Sequence, residues 1–341
     1  RLVGSEMCIR DSAKRTKVDS YKAQKRGGKG VRGAELKQDD IVKNFFVCST
    51  HDWILFFTNF GRVYRLKAYE LPEGGRAARG QHVANLLEFQ PEEKIAQVIQ
   101  IQSYEDAPYL VLATQQGRVK KSRLTDYESA RSAGLIAINL NEGDALNGAQ
   151  LVSEGYDILL TSEQGQAIRF TADDDQLRPM GRATAGVKGM RFRGDDQLLS
   201  MSVVHDGEFL LVATSGGYGK RTAIEEYTPQ GRGGLGVMTF KYTPKRGKLI
   251  GAISVDEDDE IFAITSAGGV IRTEVDQIRP SSRATMGVRL VNLADDVELL
   301  AIDRNVEEDG EEDAQAVAKG EKTVDEVQQE HKAGDASKDE E

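Results

Sequence analysis

Residues 53–66 read WILFFTNFGRVYRL: an apolar run, a threonine, a glycine and a second short run that carries cations. This pattern predicts two β-strands joined by a tight turn, because glycine adopts the positive φ that such a turn needs. After Gly61 the pattern returns with turn glycines at Gly117, Gly165, Gly217 and Gly268. Successive turn glycines are 56, 48, 52 and 51 residues apart, which indicates an internal repeat.

A cation follows every turn glycine by four residues. The five copies are Arg65, Lys121, Arg169, Arg221 and Arg272. A solvated strand face would also carry charge, but it would tolerate Glu, Thr or Gln in some copies. We therefore interpret the repeated cation as a ligand-binding position, with one basic residue per unit forming a curved positive track.

Each unit also carries a second signature, an arginine followed after a short gap by a glycine and usually an apolar residue. In chain order these signature loops begin at Arg26, Arg76, Arg131, Arg182, Arg232 and Arg283. The first, in AQKRGGKGVRG (23–33), is the richest in charge, with Lys25, Lys29 and Arg32 beside Arg26. Its glycines Gly27, Gly28 and Gly30 let the backbone approach a phosphate closely. The second copy adds Arg79.

The repeat predicts an all-β fold of six units with about four short strands each, a propeller-like array of blades. We expect the array to span residues 13–302. Residues 1–12 lack the apolar strand and threonine of the other units, so they are an atypical or foreign segment, and the first unit is expected to lack its inner strand. Residues 303–341 are expected to be a disordered acidic tail.

Charge is divided along the chain. Residues 303–341 hold fifteen acids and five bases, which accounts for the whole formal charge of -10, whereas residues 1–37 hold eleven bases and four acids. This division indicates a polyanionic ligand for the body and a tail that competes with it.

Other classes of function find little support. Cys8 and Cys48 form neither a disulfide framework nor a zinc pattern, and the four histidines are scattered. The G-x-G-x-x-G matches at 28–33 and 231–236 open no amphipathic helix, so dinucleotide binding is not indicated. No nucleophile–base set, metal site or cofactor site is expected. The sequence has no long apolar run and no signal-peptide pattern, which favours a cytoplasmic protein without membrane contact.

The expected polyanion is duplex DNA. No Asn, Gln or stacking aromatic residue repeats together with the cations, which argues against base reading and against a single-strand platform. Phosphate contacts spread over all units would release counterions and offset the energy of bending the duplex.

Three stretches resemble the C-terminal domain of the bacterial DNA gyrase A protein. They are QKRGGKG (24–30), THDWILFFTNFGRVYRLKAYELPEGGRAARG (50–80) and GYGKRTAIEEY (217–227). The resemblance covers about residues 13–302 and implies a six-bladed β-pinwheel that wraps DNA. It identifies Gln24, Lys25, Arg26, Gly27, Gly28, Lys29 and Gly30 as the signature box that this family needs for wrapping and supercoiling.

The same resemblance implies the setting of the domain. Its partners would be the gyrase B protein and the N-terminal breakage-reunion domain of the gyrase A protein, in an A2B2 enzyme that introduces negative supercoils. ATP and magnesium would be used by those other parts, so the fragment itself is expected to be neither catalytic nor cofactor-binding. Two alternatives stay open: a topoisomerase IV-type C-terminal domain, and a propeller-like scaffold for protein interactions.

Overall fold

The structure, a computed structural model, describes residues 2–8, 12–17, 42–74, 80–129, 133–267 and 270–305. These residues form an all-β fold. Its strands are β1 (Leu2–Cys8), β2 (Ser12–Lys17), β3 (Val42–Ser49), β4 (Trp53–Thr58), β5 (Arg62–Lys67), β6 (Gln81–His82), β7 (Ile95–Ile101), β8 (Tyr109–Thr114), β9 (Arg118–Arg123), β10 (Leu135–Ile136), β11 (Leu146–Val152), β12 (Asp157–Ser162), β13 (Gln166–Thr171), β14 (Val187–Lys188), β15 (Leu198–Val204), β16 (Phe209–Thr214), β17 (Tyr218–Ala223), β18 (Val237–Met238), β19 (Leu249–Val255), β20 (Glu260–Thr265), β21 (Val270–Glu274), β22 (Val288–Arg289) and β23 (Leu299–Asn305).

Helix is confined to single turns that follow a strand or connect two units. The one α-helical turn among the described residues is α1 (Asp174–Leu177), and the 3-10 turns are Ala68–Glu70, Val83–Asn85, Leu124–Tyr127, Ile224–Glu226, Pro244–Arg246 and Val275–Gln277. Within the described ranges, no helix has the length and apolar character needed to cross a membrane.

The strands form successive sheets, which we number 1 to 6. Sheets 1 to 5 have four strands and sheet 6 has three among the described residues; their orders are β3-β1-β2-β6, β7-β4-β5-β10, β11-β8-β9-β14, β15-β12-β13-β18, β19-β16-β17-β22 and β23-β20-β21. Three long antiparallel strands come from one unit of the repeat. The fourth strand is a two-residue guest strand from the following unit: β6, β10, β14, β18 or β22.

The sequence analysis predicted about four strands per unit but not that one of them pairs in the preceding sheet. In sheet 2, Leu135 pairs with Val63 and Ile136 pairs with Arg62, more than seventy residues earlier in the chain. Each of the five described guest strands thus belongs to one unit and pairs within the preceding sheet, which joins consecutive units.

The turn glycines behave as the repeat predicts. Gly61 has a φ of 71°, and a Cβ there would lie 2.7 Å from the carbonyl oxygen of Ile138, just beyond the guest strand. Gly117, Gly165 and Gly217 have equally positive φ angles, so the prediction is confirmed for these four turns. Gly268 lies outside the described residues.

The hydrophobic core is divided into clusters between neighbouring sheets. In β4, Leu55 and Phe57 pack with Leu110 of sheet 3, whereas Ile54 and Phe56 pack on the opposite side, toward sheet 1. The first hairpin strands β8, β12 and β16 bury both faces in the same way. Burial on both faces explains why these strands read as continuous apolar runs rather than as alternating patterns.

Both ends of the repeat extend further than expected. Leu2–Cys8 pairs with β2 and with β3, so the expectation that the first unit lacks its inner strand is wrong. At the other end, β23 continues to Asn305, three residues past the expected boundary at residue 302. Residues 306–341, most of the expected acidic tail, lie outside the described residues.

Candidate nucleic-acid interface

Signature loops are described in full for the last three units, over residues 182–188, 232–238 and 283–289. Each loop needs its glycine where it turns into the guest strand. Gly236 has a φ of 72°, and a Cβ there would lie 2.3 Å from the carbonyl oxygen of Ala167. Gly186 and Gly287 have the same left-handed φ and the same close approach to a strand carbonyl. The spacing from arginine to glycine is thus fixed by the docking of the guest strand.

The first arginine of each of these loops occupies an equivalent place. Arg182 donates from Nη1 to the carbonyl oxygen of Ile136 at 2.6 Å. Arg232 donates in the same way to Lys188, and Arg283 to Met238, both at 3.2 Å. The acceptor is always the last residue of the preceding guest strand. In the three loops that the structure describes in full, a half-buried guanidinium group therefore recurs at one place, and its Nη1 is bound to a guest strand.

Further arginines, which the sequence reasoning did not single out, surround the same loops. Arg118 donates to the carbonyl oxygens of Ala185 and Gly186 at 2.9 and 2.6 Å. Arg246 donates to Met286 and Gly287, both at 2.7 Å. Arg62 and Arg191 bind loop carbonyls as well. Exposed cations lie in or just after the guest strands, namely Lys188, Arg191, Arg193 and Arg289. Their sequence signal is a basic residue within a few positions of the signature glycine.

The repeated cation four residues after the turn glycine lies elsewhere. Arg169 is 6% exposed and donates to Asp157 at 2.6 Å. Its other nitrogens donate to the carbonyl oxygen of Ile224, just after β17 of the following sheet, at 3.1 Å, and to Asp206, in the connection from β15 to β16, at 2.8 Å. Arg169 is thus a clamp between two sheets.

The same clamp recurs along the chain. Lys121 donates to the carbonyl oxygen of Ala172 at 2.6 Å and pairs with Asp174 at 3.2 Å. Arg221 donates to the carbonyl oxygen of Ile278 and to Glu257. Both side chains are 3% exposed or less. The expectation that Lys121, Arg169 and Arg221 line an exposed basic track is wrong, because their strands are buried on both faces.

The remaining two copies are more accessible. Arg65 is half-buried, stacks 4.0 Å from the ring centre of Trp53 and donates to the hydroxyl of Tyr104 at 3.2 Å. Arg272 is 54% exposed and pairs with Glu260. A contact of Arg65 and Arg272 with DNA phosphates therefore stays a prediction.

Two buried lysines precede the clamp residues by one position and were missed by the sequence reasoning. Lys120 donates to the carbonyl oxygens of Ala137 and Arg182, and burial with the nearby Arg182 charge lowers its pKa to about 7. Lys220 donates to the carbonyl oxygens of Ser282 and Arg283, and burial lowers its pKa to about 8. A lysine inside an otherwise buried strand was the available signal.

Several predicted contact residues lie outside the described residues, so their placement stays a prediction. They are Gln24, Lys25, Arg26, Gly27, Gly28, Lys29, Gly30, Arg32, Arg76, Arg79 and Arg131. In the part of the chain that the structure describes, no three His, Cys, Asp or Glu side chains are grouped in a way that could hold a metal ion.

Comparison with known proteins assigns this repeat to a family. The family described as "DNA gyrase C-terminal domain, beta-propeller" matches six consecutive segments, residues 12–49, 52–102, 108–153, 156–205, 208–256 and 259–305. The chain belongs to this family. The matched segments coincide with the units of the repeat and include the guest strands and signature loops.

Individual relatives include a complete DNA gyrase A protein and solved C-terminal domains of two topoisomerases. The chain is 67% identical over 297 residues to the DNA gyrase A protein of Mycolicibacterium smegmatis, a match that covers 87% of this chain and 35% of that protein. A solved DNA gyrase A C-terminal domain superposes with a TM-score of 0.73 at 27% identity, over 90% of this chain and all of that one. The C-terminal domain of a DNA topoisomerase IV superposes with a TM-score of 0.76 at 26% identity, over 94% and 98% of the two chains.

Proposed function

We propose that the domain is a six-bladed pinwheel that binds duplex DNA along its signature loops and bends it, as the wrapping domain of a DNA gyrase A protein. The observation that carries this proposal is the recurrence of Arg182, Arg232 and Arg283 at equivalent, half-buried places, one per sheet. Each is fixed to a guest strand through Nη1, and Arg232 also donates from Nε to the carbonyl oxygen of Gln176, so we expect Nη2 to be the donor for a phosphate. A planar guanidinium in a fixed orientation suits bidentate phosphate contacts.

The contacts we propose are to the DNA backbone rather than to bases. Equivalent arginines with neighbouring exposed cations such as Lys188 and Arg193 give positive charge at regular intervals, whereas no base-reading side chain repeats with them. Binding is then nearly independent of sequence and strongly dependent on salt. The box at residues 24–30 supplies the densest cations of the series and fixes one end of the wrapped duplex.

Within the full enzyme, the domain would act with the breakage-reunion domain of the gyrase A protein and with the gyrase B protein in negative supercoiling. ATP and magnesium would serve those parts, and the domain itself would contribute no catalytic group or cofactor site. Such an enzyme would work in the cytoplasm, on the nucleoid. The 67% identity to a gyrase A protein favours gyrase, while the superposition on a topoisomerase IV domain keeps that enzyme as the second candidate.

The test is duplex binding by the 341-residue chain as salt is raised. We expect log Kd to change with log salt by about 0.9 for each phosphate neutralised, and Arg232→Ala to reduce that slope by about 0.9. Arg304→Ala is the matched control, because this exposed arginine pairs with Asp256 and Asp259 instead of a loop. A shallow slope, or equal effects of the two variants, would contradict the proposal and favour a protein-interaction scaffold.

A further inference from the structure

The buried lysines occupy one fixed place in the repeat, three residues after the turn glycine. Lys120 and Lys220 are both fully buried, and Lys14 of sheet 1 is 3% exposed at the corresponding position. Sheets 2 and 4 have Tyr64 and Ile168 there instead. In sheets 1 to 5 the position therefore lies in the core, where an apolar or aromatic side chain suffices for folding. In sheet 6 it is Ile271, which is 37% exposed.

The ammonium groups of Lys120 and Lys220 are each bonded to the backbone of a signature arginine. Lys120 Nζ reaches the carbonyl oxygen of Arg182, and Lys220 Nζ reaches that of Arg283. Each lysine donates a second hydrogen bond, Lys120 to the carbonyl oxygen of Ala137 and Lys220 to that of Ser282. The lysine thus ties the base of the arginine loop to the strand beneath it.

Burial disfavours the protonated form of both lysines, and the nearby charges differ between the two. The other charged groups that act on Lys120 are Arg182, which lowers its pKa, and Asp126, which raises it less. For Lys220 they are Glu226, which raises its pKa, and Arg283, which lowers it less, so burial is the cause of its lowered pKa. Burying a cation that is bonded only to neutral carbonyls is unfavourable, and sheet 4 holds the loop of Arg232 over Ile168 without one. Stability alone therefore does not account for the two lysines.

We propose that Lys120 and Lys220 are positioning residues of the DNA interface, which orient Arg182 and Arg283 and add positive potential beneath the phosphates that those arginines bind. This inference rests on the proposed function. A phosphate on Arg182 stabilises the charged form of Lys120, so DNA binding takes up a proton at each of these sites. Affinity then falls as the pH rises through neutrality.

A double-mutant cycle on the 341-residue chain tests the inference. Lys120→Ile introduces the residue type that sheet 4 has at this position, where Ile168 stands. We expect Lys120→Ile and Arg182→Ala each to weaken duplex binding by about three- to fivefold at low salt. The double variant should bind like Arg182→Ala alone, because Lys120 acts through that arginine. Lys120→Ile combined with Arg283→Ala is the control, since these residues belong to different loops and their effects should multiply.

The pH profile supplies a readout that a merely structural lysine would not move. Wild-type affinity should fall between pH 6.5 and 8.5, and the fall should be smaller in Lys120→Ile. If Lys120→Ile does not fold, the cycle of Lys220→Ile with Arg283→Ala decides. The inference is overturned if the effects of Lys120→Ile and Arg182→Ala on affinity multiply, or if Lys120→Ile has the same pH profile as wild type. Neither result would contradict DNA binding itself. A wild-type chain that does not bind duplex DNA overturns the proposed function as well.

Discussion

At the residue scale, identical side chains have opposite roles according to their place in the repeat. Arg169 is enclosed between two sheets with its donors bound to Asp157, Asp206 and the carbonyl oxygen of Ile224. Arg232 is half-buried, and its side chain donates one hydrogen bond to the carbonyl oxygen of Gln176 and one to that of Lys188. The first residue stabilises the fold, and the second is one of the DNA contacts that we propose.

We expect Arg169→Ala to lower the free energy of unfolding by about 3–5 kcal/mol, because it leaves the Asp157 carboxylate, 10% exposed, without its partner. Chemical denaturation measures this loss. Arg232→Ala is the comparison and should lower the free energy by about 1 kcal/mol. Equal losses for the two variants would show that Arg169 is not a clamp.

Lys120 gives the stability a defined pH dependence. Its pKa is about 7 in the folded chain against a usual value of 10.5, so between these values the unfolded chain holds the extra proton. The free energy of unfolding should therefore rise with pH from about 7 toward 10. Above pH 10 the trend reverses, because Tyr127 and Tyr227 have pKa values raised to about 12 by burial and ionise more readily when unfolded.

The matched variant for this prediction is Lys120→Met, which removes the titrating group and keeps a long side chain. Denaturation at pH 6.5, 8 and 9.5 should show the stability difference between variant and wild type shifting steadily in favour of wild type as the pH rises. A difference that stays constant across this range would contradict the assigned pKa.

At the element scale, the guest strand joins consecutive units, and the loop glycine makes its docking possible. Spacing and composition predicted the repeat, the hairpins and the positive-φ turns, because these features depend on residues close together in the chain. The guest strand escaped prediction, since a two-residue strand carries no periodicity and its partner lies about seventy residues earlier in the chain. The burial of Lys121 and Arg221 also escaped, because a basic residue in a short strand reads as exposed.

We expect Gly236→Ala to weaken the docking of β18, because its Cβ would lie 2.3 Å from the carbonyl oxygen of Ala167 at a φ of 72°. The readout is hydrogen exchange at the amide of Thr239, which donates to Gly165 at 2.8 Å. Gly231→Ala is the control, since a Cβ there meets nothing within 4 Å. Exchange should speed up in the first variant only, and an unchanged rate would mean that the loop tolerates a side chain.

At the scale of the whole molecule, a balanced body adjoins an acidic segment. Residues 306–341 carry fourteen acids and four bases, whereas residues 1–305 have no net charge. Since β23 continues to Asn305, a deletion that spares the fold begins at residue 306. Because a tethered anion has a high effective concentration, we expect this segment to compete with DNA for the cationic loops.

Removing residues 306–341 should tighten duplex binding several-fold at low salt, and the gain should vanish at high salt, where exposed charges are screened. Filter binding at 20 mM and 300 mM salt would measure both. Equal affinity of the full and shortened chains at low salt would rule out competition by this segment.

The most direct test of the central claim, that the domain bends duplex DNA along its signature loops, is a change in DNA topology. Relaxed circular DNA is saturated with the 341-residue chain, equilibrated with a nicking-closing topoisomerase, stripped of protein and resolved on a gel. We predict a shift in linking number that grows with protein occupancy and is strongly reduced in Arg182→Ala/Arg232→Ala/Arg283→Ala. A distribution that stays relaxed at saturating protein would contradict the account.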